Sequence, residues 1–463
     1  MLYLPTPANR GQLLALPALV QWSAALNGTW ASLYGSNPPG DGTAILWWLA
    51  NMHRYILNHA EASAAALIPG LYAGLRSNLM NHGLRNGTDG LLHALNCYSP
   101  EYTVPCPSGG CVDCSYVLAI YRWGAQTAAE LARVRFPGDT AARAVFDDLV
   151  ARIAPYPIDA ATGSWAIAAN LPYAVPHRHY SHLLQLFDLN TAGGQLADAR
   201  AMGPSLDLWW NVTCAGPQAA GHVVGDDDQC RGFTQAGMAA MSARLNRTDA
   251  ARGNLTSFLK LCATSNAQYG EDVYKGQANL FAPVAESAYS AAASLYGMLL
   301  SSSPWPPVAQ AGGFNDSAVP TPLRIWPGAP WANVSLFRAR GEGAFLVSAV
   351  RLNGATLWVA VEADDGAGTR TGESAPFVLY CPDWRDASAV AVNGPAGVAA
   401  SPVAGQAGTF LVTGLTRGGA VTLQPAGVSP PQNPPFAVSP APGRNASLDN
   451  FWGGRFVYDV TQW

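Results

Sequence analysis

The chain has 463 residues, of which 49% are hydrophobic and only 12% are charged, and its formal net charge is -4. That length allows about three domains at roughly 150 residues each. Because no basic excess is present to neutralise a phosphate backbone, the composition disfavours nucleic-acid binding. The sequence has no uninterrupted apolar run of about 18 residues and therefore predicts no membrane span.

Two features favour a secreted, extracellular protein. The glycosylation pattern Asn-x-Ser/Thr occurs eight times, where chance predicts about two or three sites. These sites are Asn27, Asn86, Asn211, Asn246, Asn254, Asn315, Asn333 and Asn445. The alternative is that Asn and Thr simply cluster in turns. The eight cysteines, an even number, allow up to four disulfides, whose connectivity the sequence leaves open.

The start of the chain carries no export signal. The stretch from Met1 to Pro7 lacks the charged segment and the continuous apolar run of a signal peptide. If the protein is exported, a chain that begins at Met1 is expected to be an N-terminal truncation.

Metal and cofactor motifs are weak. Cys111-x-x-Cys114 alone could suggest zinc, but no second Cys or His pair lies at ligand spacing. The run Asp226–Asp228 could hold calcium, although three acidic residues beside a glycine more often form a solvated loop. No phosphate loop, serine nucleophile elbow or dinucleotide fingerprint is convincing. We therefore predict no cofactor and no metal site.

From about residue 9 to 303 the pattern is helical and rich in Ala and Leu. Apolar residues from Val117 to Val134 follow i, i+3, i+4, i+7 spacing and stop at Phe136-Pro-Gly. Asp139 is expected to cap a second helix that ends before Pro155. Such hairpins, repeated around an axis, predict a double ring of helices over residues 1–305.

Beyond Pro304-Trp-Pro the hydrophobic period changes to two residues. Two alternating runs flank Asn353-Gly354, which is a hairpin turn signal. Further short runs at 377–380, 389–392, 409–412 and 420–423 complete a predicted small antiparallel β-sandwich over residues 306–424. Residues 425–463 form a Pro-rich tail with an aromatic terminus.

Two segments of the predicted helical domain carry candidate chemistry. Glu101 follows a Ser-Pro turn and is flanked by Tyr98 and Tyr102. Partial desolvation there raises the pKa of a carboxyl and suits a general acid, although a loop Glu is commonly a solvated surface group. His177, Arg178, His179 and His182 lie within six positions of a chain with only 8 histidines. They suit hydrogen bonding to sugar hydroxyls, and a structural network at a helix start is the alternative.

A second carboxylate is available in Glu286, at the start of an apolar helix predicted to run to Leu300. The helix dipole favours the ionised form there, which suits a base; a plain helix-start Glu is the alternative. Glycosidic cleavage needs such a pair, one carboxyl to protonate the leaving oxygen and one to activate water or attack the sugar. We therefore consider Glu101 and Glu286 as the catalytic pair.

Several segments, taken in order, resemble glycoside hydrolase family 95, the inverting α-L-fucosidases and α-L-galactosidases with an (α/α)6 barrel. Ser99-Pro-Glu101 is similar to the family's general-acid loop. Residues 177–183 are similar to its Arg-His-x-Ser-His-Leu motif. Leu323–Pro327 and Phe337–Gly341 resemble the strands after the barrel, and Asp113 lies where the family has an Asp. The resemblance implies an (α/α)6 barrel followed by a β-sandwich, with Asp113, His177, Arg178, His179 and His182 binding substrate.

The chain departs from the family pattern at three positions. Trp47 and Leu49 fall where the family has a water-binding Asn-x-Asn pair, and Glu286 falls where it has a catalytic Asp. Trp47 could instead stack on an apolar sugar face. The family's N-terminal β-sandwich has no counterpart here.

Two classes of function follow from these observations. The first is an extracellular inverting exo-glycosidase of the α-L-fucosidase type, which acts on terminal sugars of glycoproteins or wall polysaccharides. The second is a non-catalytic structural or sugar-binding glycoprotein of an extracellular matrix or assembly that keeps the scaffold. A carbohydrate is the expected partner in the first, and assembly partners are expected in the second.

Overall fold

The computed structural model describes residues 43–58, 62–97, 99, 102, 104–187, 189–191, 196–215, 229–230, 232–261, 270–273, 281–283, 285–302, 321–363, 376–416 and 418–426. Within these ranges the chain forms a helical part followed by a β-sandwich. The predicted order of fold classes along the chain is therefore correct.

The helical part contains eight α-helices among the described residues. They are α1 (Thr43–Asn58), α2 (Ala62–Met80), α3 (Ser115–Val134), α4 (Thr140–Arg152), α5 (Leu196–Trp210), α6 (Gly232–Arg244), α7 (Thr248–Leu261) and α8 (Ala285–Leu299). Short strand pairs join them: β1 (Arg85–Asn86) with β2 (Leu92–His93), β3 (Leu95–Cys97) with β4 (Cys111–Val112), β5 (Ile158–Asp159) with β6 (Ser164–Trp165), and β7 (Gly270–Val273) with β8 (Phe281–Pro283). None of these helices is both long and apolar enough to cross a membrane.

The hairpin of α3 and α4 has the cap that the sequence predicts. The Asp139 carboxylate accepts a hydrogen bond from the backbone N–H of Ala142 at 3.4 Å, at the start of α4. The same carboxylate binds Arg76 Nε at 2.7 Å and the Tyr72 hydroxyl at 3.0 Å, both on α2. The hydrogen bond from Arg76 is the main cause that holds the pKa of Asp139 below its usual value. One carboxylate therefore starts a helix and attaches it to its neighbour.

The second predicted hairpin is present as α6 and α7, and α8 packs against both helices. Alanines on these three helices share a small core with Leu255, Phe258 and Met298. Small side chains allow this close packing, as the Ala-rich sequence indicates. The helices pack as hairpins, and closure into an (α/α)6 ring stays a prediction.

The sandwich consists of two five-stranded sheets. One has the order β16 (Ala399–Pro402), β17 (Thr409–Thr413), β14 (Phe377–Tyr380), β10 (Thr321–Ile325), β9 (Leu300–Ser301). The other has the order β11 (Val334–Gly341), β12 (Phe345–Leu352), β13 (Ala355–Ala363), β18 (Ala420–Pro425), β15 (Val390–Asn393). Buried side chains from both sheets form one core, which includes Val347, Val361, Phe377 and Phe410.

One detail of the sandwich differs from the prediction. The sheets are not purely antiparallel, because β10 and β14 pair in parallel. Strands β11 to β13, which belong to the other sheet, lie between them in the chain and provide the long crossover that a parallel pair needs. The helix that carries Glu286 ends at Leu299, and the strand that begins at Leu300 pairs with β10 through Ile325.

The hairpin turn at Asn353-Gly354 is confirmed. Both residues have positive φ, 51° and 78°. This backbone suits Asn followed by Gly because two residues with left-handed φ match the twist of the flanking strands.

The helical part and the sandwich are joined by buried polar contacts. The backbone N–H groups of Gly343 and Ala344, in the turn between β11 and β12, donate to the carbonyl of Leu57 at 3.0 and 3.2 Å. They satisfy an orphan carbonyl at the C-terminus of α1. Arg324, which is 1% exposed, donates from Nη1 to the carbonyl of Arg244 at 3.2 Å. Domain limits at 305 and 424 stay predictions, and residues from 427 onward lie outside the described part.

Replacing glycine by alanine is expected to change the free energy of unfolding in opposite directions at two helical positions. A Cβ at Gly253 of α7 would meet nothing within 4 Å, so we expect Gly253→Ala to raise the free energy of unfolding by about 1 kcal/mol. A Cβ at Gly237 of α6 would lie 2.7 Å from the Tyr180 ring. We therefore expect Gly237→Ala to lower the free energy of unfolding by about 1–3 kcal/mol. Urea unfolding of both variants tests this; equal effects would contradict it.

Candidate functional site

The histidine segment, residues 177–182, begins in a loop and ends in the short 3-10 helix Ser181–Leu183. His177 and His182 are buried, whereas Arg178 and His179 are half-buried. The rings of His177 and His179 are 5.1 Å apart, and His179 also contacts Phe233 of α6 at 5.6 Å. The four predicted sugar-binding residues therefore form two layers, of which Arg178 and His179 are the more accessible.

The backbone of His177 is fixed by three donors. Its carbonyl accepts hydrogen bonds from Trp209 Nε1 at 2.9 Å, the Tyr173 hydroxyl at 3.3 Å and the Thr213 hydroxyl at 3.4 Å. Thr213 lies in a π-helical turn, Asn211–Ala215, next to the disulfide Cys214–Cys230. Such turns are frequent at functional sites. This arrangement could not be predicted from residue types, because the acceptor is a backbone carbonyl.

His182 is held by stacking. Its ring lies 4.5 Å from the ring of Tyr173 at an interplanar angle of 16°. Neither ring nitrogen has a hydrogen-bond partner within the described part of the chain. Burial, with a smaller contribution from His177, lowers the pKa of His182 to about 3. His182 is therefore neutral at any physiological pH.

The segment around Glu101 is attached to the histidine segment. The Ser99 hydroxyl hydrogen-bonds the Ser181 hydroxyl, and the Tyr102 backbone N–H donates to the Ser99 carbonyl at 3.2 Å. The Tyr102 hydroxyl accepts from the backbone N–H groups of Ala174 at 2.9 Å and Val175 at 3.3 Å. Glu101 itself lies outside the described residues. The nearest described residue on each side of it binds the histidine segment or the loop before it.

Two nested disulfides close the base of this segment. Cys97 pairs with Cys114, and Cys106 pairs with Cys111. Both cysteines of Cys111-x-x-Cys114 are therefore bonded in disulfides, each to a different partner. Cys381 is a buried free thiol whose pKa burial raises to about 12, and Cys262 lies outside the described residues.

Asp113 is buried and makes its bonds within the protein. One carboxylate oxygen lies 2.6 Å from His93 Nδ1, and the other accepts the backbone N–H of Ala94 at 2.9 Å. Asp89 contacts the other nitrogen of His93 at 3.1 Å. Hydrogen bonds to Asp113 and then to Asp89 raise the pKa of His93. His93 was not among the predicted site residues, although the spacing of Asp89 and His93 in a β-hairpin was the available signal.

The remaining predicted site residues lie in different surroundings or outside the described part of the chain. Trp47 on α1 is 37% exposed, and Leu49 is fully buried. Glu286 belongs to α8, but its side chain is not among those described, so the separation of the two carboxyl groups stays a prediction. Asp226–Asp228 lie outside the described ranges. No group of His, Cys, Asp or Glu in the described part could hold a metal ion.

The predicted glycosylation sites differ in their environment. Asn27, Asn315 and Asn445 fall outside the described residues. Asn86, Asn211 and Asn333 are exposed, and Asn246 is half-buried. Asn254 is only 7% exposed, and its amide donates to the Ala250 carbonyl at 2.8 Å within α7.

Comparison with known proteins does not assign a family to the chain. No family model matches the chain, and no curated protein gives a significant match. Among solved structures, the chain is similar to a GH127 β-L-arabinofuranosidase from Geobacillus stearothermophilus T6, with 11% identity and a TM-score of 0.28. The match covers 91% of this chain and 76% of that one. A TM-score this low assigns neither a fold nor an activity, and membership of family 95 stays a prediction.

The low pKa of His182 predicts acid sensitivity. In the unfolded chain its pKa is 6.5 and in the folded chain about 3, so between these values the unfolded state binds more protons. We expect the free energy of unfolding to fall with decreasing pH over this window, by up to about 1.4 kcal/mol per unit from this group. In His182→Phe, which can keep the stacking on Tyr173, that contribution should disappear. Urea unfolding at a series of pH values measures it.

The raised pKa of His93 predicts the opposite pH dependence of the free energy of unfolding. The contribution of His93 to the free energy of unfolding is fully present below pH 6.5, its pKa in the unfolded chain. It is lost as pH rises through the higher pKa of the folded chain. We expect His93→Gln to be less stable than wild type below pH 6.5 and to approach it above the folded pKa. The same urea series tests this, and a constant difference at all pH values would contradict it.

Proposed function

We propose that the protein is an extracellular inverting exo-glycosidase of the α-L-fucosidase type, acting on terminal sugars of glycoproteins or wall polysaccharides. The observation that carries the proposal is the attachment of the Glu101 segment to the histidine segment. Ser99 binds Ser181, and Tyr102 binds the backbone at Ala174 and Val175. These contacts support the proposal that the predicted acid and the predicted sugar-orienting groups, about 75 residues apart in the chain, act in one site.

In this proposal Glu101 protonates the glycosidic oxygen, and Glu286 removes a proton from the attacking water. The water attacks the anomeric carbon as the bond to the leaving oxygen breaks, which inverts the configuration. Such a reaction predicts carboxyl groups about 6.5–9.5 Å apart, because the water must fit between base and sugar. About 5–5.5 Å would instead indicate retention.

Tyr102, the residue after Glu101 in the chain, lies among aromatic rings. Its ring is 5.8 Å from the ring of Tyr173 and 5.6 Å from that of His177. In this proposal aromatic side chains partly desolvate Glu101 and raise its pKa, which suits a general acid.

The half-buried members of the histidine segment are proposed to contact the sugar. Arg178 and His179 offer donors to its hydroxyl groups, while His177 and His182 hold the layer behind them. Trp47, exposed on α1, is proposed to stack on an apolar sugar face. Three disulfides among the described cysteines support an oxidising compartment.

A second candidate is a non-catalytic structural or sugar-binding glycoprotein of an extracellular matrix or assembly. Two observations favour it. Leu49, at one position of the family's water-binding pair, is fully buried, and Asp113 already has both carboxylate oxygens bonded within the protein. Without an amide to hold the attacking water, the rate enhancement of about 10² to 10⁴ that a general base supplies would be reduced or lost.

Hydrolysis of a panel of aryl α-L-fucosides, α-L-galactosides and arabinosides tests the enzymatic proposal. We expect wild type to release product from at least one of them. Glu101→Gln should lower kcat by about 10² to 10⁴, because it removes the proton donor. Glu362→Gln is the matched control, since that carboxylate binds Arg338 at 2.6 Å in the β-sandwich.

Equally slow release by wild type and Glu101→Gln would contradict the enzymatic proposal. The second candidate then makes its own prediction. Binding of the same sugars without turnover, measured by calorimetry and weakened by Arg178→Ala, would support a sugar-binding protein. No binding would support a structural role.

A further inference from the structure

The stretch 95–112, which contains Glu101, is closed at its base by Asp113. The Asp113 carboxylate accepts the backbone N–H of Ala94 at 2.9 Å, and the Asp113 N–H donates to the Ala94 carbonyl at 2.7 Å. Ala94 immediately precedes β3, and Asp113 immediately follows β4. These two bonds therefore join the point where the stretch begins to the point where it ends.

Asp113 also sets the direction of this stretch. Its φ is 55°, a left-handed conformation that residues other than glycine adopt where the surrounding contacts hold them. The disulfide between Cys97 and Cys114 limits the distance between the two ends. The backbone angles of Asp113, next to Cys114, decide how the stretch leads away from the start of α3. The contacts of the Asp113 side chain therefore orient the stretch.

His93 supplies the side-chain partner of Asp113. Its Nδ1 lies 2.6 Å from Asp113, whose side chain is 9% exposed, and its Nε2 lies 3.1 Å from Asp89, whose side chain is 51% exposed. The protonated ring donates to both carboxylates, but the neutral ring has only one N–H. That proton belongs on Nδ1, because water can replace the ring at the exposed Asp89 but not at the buried Asp113. The bond to Asp113 is then present in both charge states of His93.

We propose that His93 is a positioning residue of the candidate active site, which holds Asp113 and through it the stretch that contains Glu101. His93 itself contacts no sugar in this proposal. A second attachment lies near Glu101, where the Ser99 hydroxyl binds Ser181. The two attachments together keep the acid in a fixed position relative to the histidine segment, which proton transfer to a glycosidic oxygen requires. The inference rests on the proposed function, and its test separates the two.

Two amide substitutions distinguish the two nitrogens of His93. Counted in bonds from Cβ, the amide nitrogen of asparagine matches histidine Nδ1, and that of glutamine matches Nε2. His93→Asn therefore keeps a donor for Asp113 and loses the one for Asp89, whereas His93→Gln does the reverse. Both variants lose the imidazole and its charge, so a difference between them identifies the nitrogen that matters.

Kinetics on an aryl glycoside that wild type hydrolyses give the first measurement. His93→Gln should lower kcat by about 10²-fold, because a displacement of about 1 Å has an effect of this size. KM should stay near the wild-type value, since no sugar contact is lost. His93→Asn should keep both constants close to those of wild type. Urea unfolding identifies a pH at which both variants are fully folded, and the kinetics are compared there.

Hydrogen exchange followed by mass spectrometry tests the attachment without any substrate. The Tyr102 N–H donates to the Ser99 carbonyl. The Tyr102 hydroxyl accepts from the N–H groups of Ala174 and Val175. These three amides should exchange about tenfold faster in His93→Gln than in His93→Asn, because the stretch opens locally. Peptides from β12 and β13 of the sandwich should exchange equally in both variants and serve as the reference.

Asp113→Asn is a further variant that should keep the attachment. Its amide oxygen can accept the Ala94 N–H, and its amide nitrogen can donate to His93 Nδ1 when the ring proton moves to Nε2. We expect kcat, KM and the exchange rates to stay near those of wild type. A raised KM would instead indicate that Asp113 binds the sugar, and it would overturn the positioning role.

The outcomes distinguish this inference from the proposed function. An active wild type with equal kcat in His93→Asn and His93→Gln would overturn the positioning role and leave the proposed function intact. An inactive wild type would overturn the proposed function. Faster exchange in His93→Gln would then still support the attachment of the stretch through His93, and equal exchange in the two variants would overturn it.

Discussion

The arrangement of the candidate site depends on one buried backbone carbonyl. The oxygen of His177 accepts hydrogen bonds from Tyr173, four residues earlier in the chain, and from Trp209 and Thr213, where α5 continues into the π-helical turn. An oxygen has two lone pairs, and its burial would be costly without such partners. These bonds fix the backbone of the segment whose side chains include the paired rings of His177 and His179 and the Ser181 hydroxyl that binds Ser99.

The packing around this carbonyl links it to the rest of the helical part. The Tyr180 ring stacks on Phe233 at 5.2 Å and meets Trp209 at 5.6 Å, and α6 approaches it through Gly237. Helix α6 in turn packs against α7 and α8, and the Arg244 carbonyl near its end receives Arg324 from the sandwich. A change in the sandwich can therefore reach the candidate site through one helix.

Helices and turns could be predicted from the sequence where they depend on residues that are close together in the chain. Asp139 as a helix cap and Asn353-Gly354 as a hairpin turn were predicted because side chain and backbone preference act within a few residues. The parallel pairing of β10 with β14 could not be predicted, since it depends on which sheet each intervening strand joins. The partner of Asp113 was also missed, because a contact with His93 depends on how two hairpins pack. The histidine segment was identified, but the layering of its side chains required the fold.

The nested disulfides have a consequence for how the protein must be produced. Cys111 and Cys114 are three residues apart, so an exchanged pairing, Cys97 with Cys111 and Cys106 with Cys114, closes loops of similar length and has a comparable entropic cost. Chain entropy alone therefore does not select the native isomer. The strand register does not select it either, because β3 and β4 place Cys97 opposite Cys111. The contacts that bring Cys114 to Cys97 lie after the strand: Asp113 binds Ala94 through its side chain and its backbone, and the Cys114 N–H lies 2.9 Å from Cys97 Sγ. A host that supplies oxidant without a disulfide isomerase would accumulate trapped isomers of this loop.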